Sequence, residues 1–243
     1  MSNSASKQGQ FASLNEPKES KRPGVPVMWI GLAVVAVIAL AAAVAIGISS
    51  GDDSDTVETA DGEVVDPIEM AEVIVDGDPL PELTNPADDV GIGVPAPELS
   101  GLSYTGEPTE ILFDGRPKVV VFLAHWCPHC QRELPLLVDW LEAEGLRDDV
   151  DLYAVATNVD RSAPNYPPSA WFEEEGLDVP ILMDSENNDA ARAFGLNAFP
   201  YWVALDADGT VALRLSGELP DVLGRPAEEA FAFMADFAAA DAE

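Results

Sequence analysis

The strongest constraint in this sequence is a near-continuous apolar run, Lys118–Ala124, that leads directly into a segment with two cysteines and two histidines. A run of this length with no polar side indicates a strand that is buried on both faces of a sheet. Residues 125–130 follow with the sequence HWCPHC, and they contain every cysteine and every histidine of the 243 residues. Because Cys and His change charge most easily near neutral pH, we expect this junction to be a site of chemistry.

The spacing of Cys127 and Cys130 allows the two thiols to close a small disulfide ring. A disulfide across so short a loop adds little stability through loop entropy, so a redox role explains it better than a structural one. A helix is predicted to begin at Pro128, where unpaired N–H groups and the helix dipole stabilise a thiolate at Cys127. We predict that Cys127 forms mixed disulfides with a partner and that the deeper Cys130 resolves them. The redox-active Cys127–Cys130 disulfide requires no further cofactor, and no metal site is predicted.

Hydrophobic periodicity on both sides of this junction predicts an α/β fold, in which a mixed central sheet has helices on both faces. Further strands are predicted at Asp151–Thr157, Ile181–Met183, Tyr201–Leu205 and Val211–Ser216. Helices are predicted at Pro128–Glu144, Ser169–Glu175, Asp189–Phe194 and Ala227–Ala239. The order along the chain is therefore a βαβ unit, then a hairpin with the turn sequence DADG at residues 206–209, then a final helix.

An uncharged apolar stretch near the N-terminus, Val27–Ile48, predicts a membrane anchor. As a helix it would be about 33 Å long, which is enough to cross a hydrocarbon core. Basic residues precede it and acidic residues follow it, so the positive-inside rule predicts a cytoplasmic tail (residues 1–24), a single-pass transmembrane signal-anchor (residues 25–48) and an extracytoplasmic remainder. A cleaved secretory signal, whose apolar region is normally about 7–15 residues, is the alternative. Both interpretations place residues 49–243 outside the cytoplasm.

The exported part is strongly acidic, with 42 acidic and eight basic side chains in residues 49–243. Nucleic acid is therefore a poor partner, since phosphate binding needs clustered Lys and Arg. Residues 49–90 contain 14 acidic side chains and no basic ones, with four interspersed prolines. This composition predicts an extended, disordered tether over residues 49–91, with a short strand near Val73–Val75, before a folded domain at residues 92–243.

Export also determines which partners are expected. Disulfides persist outside the cytoplasm, and a secreted domain stabilised by disulfides would distribute its cysteines along the chain rather than keep one close pair. We therefore expect the partners to be exported proteins with cysteine pairs, together with a membrane redox partner that recycles the dithiol. The chain would contact the membrane itself through residues 27–48.

Four motifs together resemble those of the membrane-anchored TlpA/ResA-like thiol-disulfide oxidoreductases of the thioredoxin superfamily. The sequence WCPHC after an apolar strand is similar to the active site of the superfamily. The segment GVPAPEL at residues 93–99 resembles the first motif of the family, and CQRELP at residues 130–135 resembles its continuation. The sequence FGLNAFP at residues 194–200, followed by a strand and Asp208-Gly209, resembles its cis-proline loop. The resemblance covers about residues 92–243 and implies a thioredoxin-like fold and disulfide exchange.

The resemblance also implies roles for individual residues. Glu133 corresponds to an acidic residue near the thiols, where it can tune them or relay protons. Pro200 corresponds to a cis-proline that faces the two cysteines, and Phe199 and Trp126 would line the substrate groove beside it. Val121 departs from thioredoxin, which has a buried Asp at that position, so a proton relay needs another group such as Glu133.

The dipeptide between the cysteines, Pro128-His129, bears on the direction of electron flow. A protonated His129 would add positive charge near Cys127, stabilise the thiolate and make the disulfide more oxidising. Pro-His resembles the dipeptide of strong periplasmic oxidants, whereas the rest of the domain resembles a family that often reduces disulfides. The direction stays open at this stage. His125, by contrast, is expected to be a surface or rim residue.

Other functions remain as alternatives. A metal (copper) delivery module would use the Cys and His side chains as ligands, although the distant histidine of such proteins is missing here. A peroxiredoxin-like peroxidase is a second alternative, because its first motif is similar. A binding module with a purely structural disulfide is a third.

Overall fold

A computed structural model describes residues 56–59 and 61–240 of the chain. The predicted cytoplasmic tail (residues 1–24) and the predicted anchor (residues 25–48) lie outside these ranges. No helix in the described ranges is both long and apolar enough to span a membrane.

The elements follow the predicted order, with additional strands at the N-terminal end. The strands are β1 (Val57–Glu58), β2 (Val64–Val65), β3 (Ile74–Asp76), β4 (Glu98–Leu102), β5 (Pro108–Ile111), β6 (Lys118–Leu123), β7 (Asp151–Ala156), β8 (Ile181–Met183), β9 (Tyr201–Leu205) and β10 (Val211–Ser216). The helices are α1 (Pro128–Ala143), α2 (Pro168–Glu175), α3 (Asp189–Ala193), α4 (Leu219–Leu223) and α5 (Ala227–Ala238), and a short 3₁₀ helix covers Pro86–Asp88. Helix α4 has no counterpart among the predicted elements.

The central sheet has five strands in the order β10-β9-β6-β7-β8. Strand β6 lies in the middle, parallel to β7 and antiparallel to β9, so the sheet is mixed, as predicted. All six residues of β6 are buried. The first of them is Lys118. Its charge is compensated by the carboxylate of Asp114, which precedes the strand and lies 2.6 Å from the ammonium group.

Alternating side chains of β6 enter two separate cores, which places helices on both faces of the sheet. Val119, Val121 and Leu123 pack in the core that contains both cysteines and the buried faces of α1, α2 and α5. Val120 and Phe122 pack in the opposite core with α3 and with the second sheet, whose strand order is β3-β4-β5. The predicted thioredoxin-like architecture is confirmed, with helix and strand bounds that differ from the predicted ones by at most one residue.

The structure corrects the predicted disordered tether over its described part, residues 56–59 and 61–91. Strands β1 and β2 form an antiparallel pair, and β3 pairs with β4 of the folded domain. Leu80 and Leu83 are buried in the core behind the sheet, where the Leu83 carbonyl accepts a hydrogen bond from the Asn197 side chain. The acidic, proline-containing composition predicted disorder because like charges repel. These two leucines instead supply apolar surface that is buried in the core of the folded domain.

A buried ion pair attaches this segment to the sheet. Arg214 of β10 donates from Nε to the Asp89 carboxylate at 2.8 Å, and both side chains are at most 2% exposed. The same guanidinium donates to the Pro81 carbonyl at 2.8 Å. Gly195 allows this close approach, since a Cβ at that position would lie 2.3 Å from the Pro81 oxygen. One cation therefore pairs with a buried carboxylate, which also accepts the Gly91 N–H, and with the Pro81 carbonyl.

We expect Asp89→Asn to lower the free energy of unfolding by about 3–5 kcal/mol, because it leaves the Arg214 charge buried without a counter-ion. Urea unfolding monitored by tryptophan fluorescence measures this change. Asp149→Asn is the matched control, since it removes one carboxylate from an exposed pair with Arg147 and should have little effect. Equal effects of the two substitutions would contradict this role of the Arg214–Asp89 pair.

Candidate active site

Cys127 lies where the buried central strand gives way to helix α1. It is the N-cap residue of α1, with extended backbone angles, and Pro128 occupies the first helical position as predicted. The Cys127 side chain is 6% exposed, and its Sγ lies 3.9 Å from the Phe199 carbonyl oxygen. Cys130 is one turn further along α1 and is fully buried, which agrees with the predicted deeper position.

The two thiols are free, and their pKa values are shifted in opposite directions. The pKa of Cys127 is lowered to about 5, chiefly by a hydrogen bond from the Cys130 thiol, and also by the backbone N–H groups of Cys130 and His129 and by the His129 charge. Burial of Cys127 acts against these effects. The pKa of Cys130 is raised because its sulfur is buried and because it donates to the Cys127 sulfur. Cys127 is therefore the thiol that ionises more readily, whereas burial favours the protonated form of Cys130.

The cis-proline loop closes the other side of the site. The Phe199–Pro200 peptide bond is cis, as the resemblance implied, and Pro200 is buried. The Phe199 ring meets the Trp126 indole edge-on, with centroids 6.0 Å apart. Trp126 is held in turn by a 2.7 Å hydrogen bond from its Nε1 to the Asn158 carbonyl. The partly exposed Trp126 and Phe199 thus form an apolar rim next to Cys127, where a substrate peptide can lie.

Glu133 is a buried carboxyl group beside the thiols rather than an ordinary surface residue. It is 1% exposed, and it accepts hydrogen bonds from the Trp202 indole at 3.0 Å and the Leu219 N–H at 2.5 Å. Burial raises the pKa of Glu133 to about 8, the nearby Glu218 carboxylate raises it further, and the two hydrogen bonds act against these effects. Val121 is fully buried at the position of the thioredoxin Asp, and Glu133 is a buried carboxyl group whose pKa lies near neutral pH.

His129 belongs to an exposed charged cluster that sequence patterns did not reveal. Its Nδ1 lies 2.6 Å from the Glu218 carboxylate and 2.7 Å from Nη2 of Arg132, and Arg132 also pairs with Glu218. His129 and Arg132 are 58% and 55% exposed, whereas Glu218 is 11% exposed. Glu218 is far from the cysteines in sequence and is one of 44 acidic residues, so no local motif marks it.

His125 corrects the expectation of a surface or rim residue, since it is only 1% exposed. Its Nδ1 lies 2.8 Å from the Pro164 carbonyl, and its Nε2 accepts the Asp160 N–H at 3.2 Å. These contacts require a neutral ring with the proton on Nδ1, and burial correspondingly lowers the pKa of His125. His125 therefore holds the loop after β7 against the active-site junction.

The metal-delivery alternative gains no support from the geometry. Across residues 56–59 and 61–240, no group of three or more His, Cys, Asp or Glu side chains is arranged to hold a metal ion. The side chain of His125 is already committed to two backbone groups, and that of His129 to Glu218 and Arg132.

The chain matches the family model described as Redoxin over residues 76–223. Solved structures with similar folds include a thiol:disulfide interchange protein of the thioredoxin family from Chlorobium tepidum (24% identity, 62% of this chain and 98% of that chain, TM-score 0.47). StoA from Bacillus subtilis is 22% identical over 58% of this chain and 98% of its own, with a TM-score of 0.46. A secreted disulfide oxidoreductase from Mycobacterium tuberculosis is 21% identical over 56% of this chain and 92% of its own, with a TM-score of 0.44.

The opposite pKa shifts of Cys127 and Cys130 can be tested by titrating the reduced protein. We expect the ultraviolet thiolate absorbance to appear with a midpoint near pH 5, the pKa of Cys127, and Cys127→Ser to abolish that transition. Alkylation at neutral pH should modify Cys127 and leave the buried Cys130 unmodified, which peptide mass analysis shows. A single transition near pH 9, the ordinary value for a thiol, would contradict this assignment.

Proposed function

Because this chain belongs to the redoxin family, we propose that it is a thiol-disulfide oxidoreductase that exchanges disulfides with exported proteins through Cys127 and Cys130. The observation that carries the proposal is the arrangement of the two cysteines. Cys127, whose thiolate is stabilised, lies one helical turn from the buried Cys130, whose pKa is raised. This pair is suited to forming and resolving mixed disulfides. The apolar rim of Trp126 and Phe199 gives a protein substrate a surface beside the reactive sulfur.

The exchange moves two electrons in two thiolate–disulfide displacement steps. When the site oxidises a substrate, a substrate thiolate attacks Cys127 Sγ, the Cys127–Cys130 bond breaks, and Cys130 leaves with the electron pair and takes up a proton. The second substrate thiolate then attacks the sulfur of its own chain in the mixed disulfide. Cys127 departs as the stabilised thiolate, and the substrate keeps the new disulfide. Reduction of a substrate disulfide is the reverse sequence.

Glu133 is proposed to handle the proton of Cys130. Cys130 must lose a proton when it attacks a mixed disulfide and must gain one when it leaves, and burial makes its bare thiolate costly. A carboxyl group with a pKa of about 8 is partly ionised at neutral pH, so it can serve in both directions. The Glu133 charge also contributes to the raised pKa of Cys130, which places the two groups within electrostatic reach.

We propose that the Cys127–Cys130 disulfide is a stronger oxidant than the active-site disulfide of thioredoxin. Nucleophilic cysteines in CxxC motifs have pKa values from about 7 in thioredoxin to about 3.5 in the strong periplasmic oxidants. The Cys127 value of about 5 lies between these limits. Because a more stable thiolate favours the reduced dithiol, the corresponding disulfide is the stronger oxidant.

The cellular setting of the proposal rests on sequence. The apolar segment Val27–Ile48 supports a single-pass anchor, and the basic residues that precede it support a cytoplasmic N-terminus and therefore an extracytoplasmic catalytic domain. A membrane redox partner would then return the Cys127–Cys130 pair to its active state after each exchange.

Substitution of the two cysteines tests the exchange itself. Cys127→Ser should abolish turnover of a dithiol or disulfide protein substrate, because it removes the attacking sulfur. Cys130→Ser should instead accumulate mixed disulfides with substrates, which non-reducing gels reveal. Full activity of Cys127→Ser would refute the assignment, and hydroperoxide turnover in place of disulfide exchange would favour the peroxidase alternative.

Substitution of Glu133 tests the proton transfer. In the wild type, resolution of a mixed disulfide by Cys130 should accelerate as pH rises through about 8, because Glu133 becomes a carboxylate that can accept the proton. Glu133→Gln should remove that inflection and slow resolution by about 10²-fold. Glu142→Gln is the matched control, since it neutralises an exposed carboxylate on the same helix. An unchanged inflection in Glu133→Gln would exclude Glu133 as the proton acceptor.

A further inference from the structure

The backbone that joins β10 to α4, from Gly217 to Leu219 at the start of α4, is hydrogen-bonded to both sides of the active site. The Gly217 N–H donates to the carbonyl of the cis-proline Pro200 at 2.8 Å. The Leu219 N–H donates to the Glu133 carboxyl on helix α1 at 2.5 Å. Glu218 lies between these two anchored neighbours, so its side chain is presented to α1 from a fixed backbone position.

The contacts of Glu218 with His129 and Arg132 depend on where protons lie. Nδ1 of His129 has two close neighbours, the Glu218 carboxylate at 2.6 Å and the Arg132 guanidinium at 2.7 Å. If Nδ1 carries a proton, it can donate to Glu218, but it cannot accept from Arg132. If Nδ1 is bare, it can accept from Arg132, but it then faces Glu218 without a proton between them. Glu218 therefore favours the protonated nitrogen, and Arg132 favours the bare one.

A proton on Nδ1 alone leaves the ring neutral when Nε2 is bare, so the charge on His129 depends on the charged groups that surround the ring. A protonated His129 next to Arg132 alone would place two like charges in contact, and Glu218 supplies the negative charge that makes this arrangement favourable. Without Glu218, the Arg132 guanidinium would donate to a neutral ring, and the positive charge would remain on Arg132, one helical turn beyond His129.

We propose that Glu218 is a positioning residue that keeps a positive charge on His129, beside Cys127, and thereby sets how oxidising the disulfide is. The proposal rests on the disulfide-exchange function proposed above. The charge on His129 is among the causes that lower the pKa of Cys127. The dipeptide Pro128-His129 alone thus does not determine how oxidising the disulfide is. The carboxylate that favours the positive charge on His129 belongs to Glu218, which is distant in the sequence.

Other charged groups face the same region. Glu133 and Asp221 are the further carboxyl groups near Glu218, since Glu218 and Asp221 both raise the pKa of Glu133. Removing any of these negative charges would, as a general field effect, stabilise the Cys127 thiolate. An effect through His129 has the opposite sign, because loss of Glu218 removes positive charge from the loop. The sign of the change therefore separates the two mechanisms.

The test compares Glu218→Gln with the wild type in the full chain. Glu218→Gln keeps the size of the side chain and the backbone that joins β10 to α4 but removes the charge. We expect the Cys127 pKa in the thiolate titration to rise by about one unit, which is a tenfold change in the ionisation equilibrium. The equilibrium with glutathione should shift toward the oxidised protein, because a less stable thiolate makes the disulfide less oxidising. An unchanged or lowered Cys127 pKa overturns the proposal.

A double-mutant cycle shows whether Glu218 acts through His129. His129→Gln alone should raise the Cys127 pKa, and adding Glu218→Gln to it should cause less than about a twofold further change in the ionisation equilibrium. Full persistence of the Glu218→Gln effect in the His129→Gln background overturns the proposal, since Glu218 would then act by another route. Asp221→Asn is the field-effect control and is expected to cause no rise in the Cys127 pKa.

These outcomes are separable from those that test the proposed function. If the wild type exchanges disulfides with proteins and Glu218→Gln leaves the Cys127 pKa unchanged, only the role of Glu218 fails. If the wild type exchanges no disulfides, the proposed function fails, while the titrations still report the coupling between Glu218, His129 and Cys127. His129→Gln alters an exposed side chain, so it remains informative even if Glu218→Gln does not fold.

Discussion

The Cys127 N–H donates to the Ala124 carbonyl at 2.9 Å, and this turn joins the buried central strand β6 to helix α1. Strand β6 is buried on both faces, so neither its register nor its direction can change without exposing a core. The chain must therefore leave the sheet at one place and begin α1 there. Cys127 is fixed at the helix N-terminus as a consequence, where N–H groups of α1 stabilise its thiolate.

Buried polar groups fasten the surrounding loops to this junction. His125 holds the loop after β7 through the Pro164 carbonyl and the Asp160 N–H. Glu133 holds the start of α4 through the Leu219 N–H, and Arg214 holds the N-terminal segment through Asp89. Each of these side chains is almost fully buried and hydrogen-bonded, so each would be costly to leave without its partner. The same contacts that stabilise the fold thereby orient the groups that surround the thiols.

Local patterns predicted much of the fold. The strand at Lys118–Ala124, the hairpin around residues 206–209 and the helix from Pro128 were correctly placed, because each depends on periodicity and turn residues within a short stretch of chain. Prediction was wrong for the described part of the acidic segment, where charge density obscured the apolar contribution of Leu80 and Leu83. It was also wrong for His125, since nothing next to that residue indicates that backbone groups near residues 160 and 164 will cover it.

The sequence by itself determined the reactive pair. Cysteine spacing, the apolar strand before it and Pro128 after it are all local, and they predict attack by Cys127 and resolution by Cys130. Only the tertiary structure decided what surrounds the pair. Glu133 is a buried acid because Trp202 and Leu219 cover it, and Glu218 reaches His129 because the residues that follow β10 lie against α1. The physical reason is that charge and burial depend on neighbours in space, and these neighbours are more than 60 residues away along the chain.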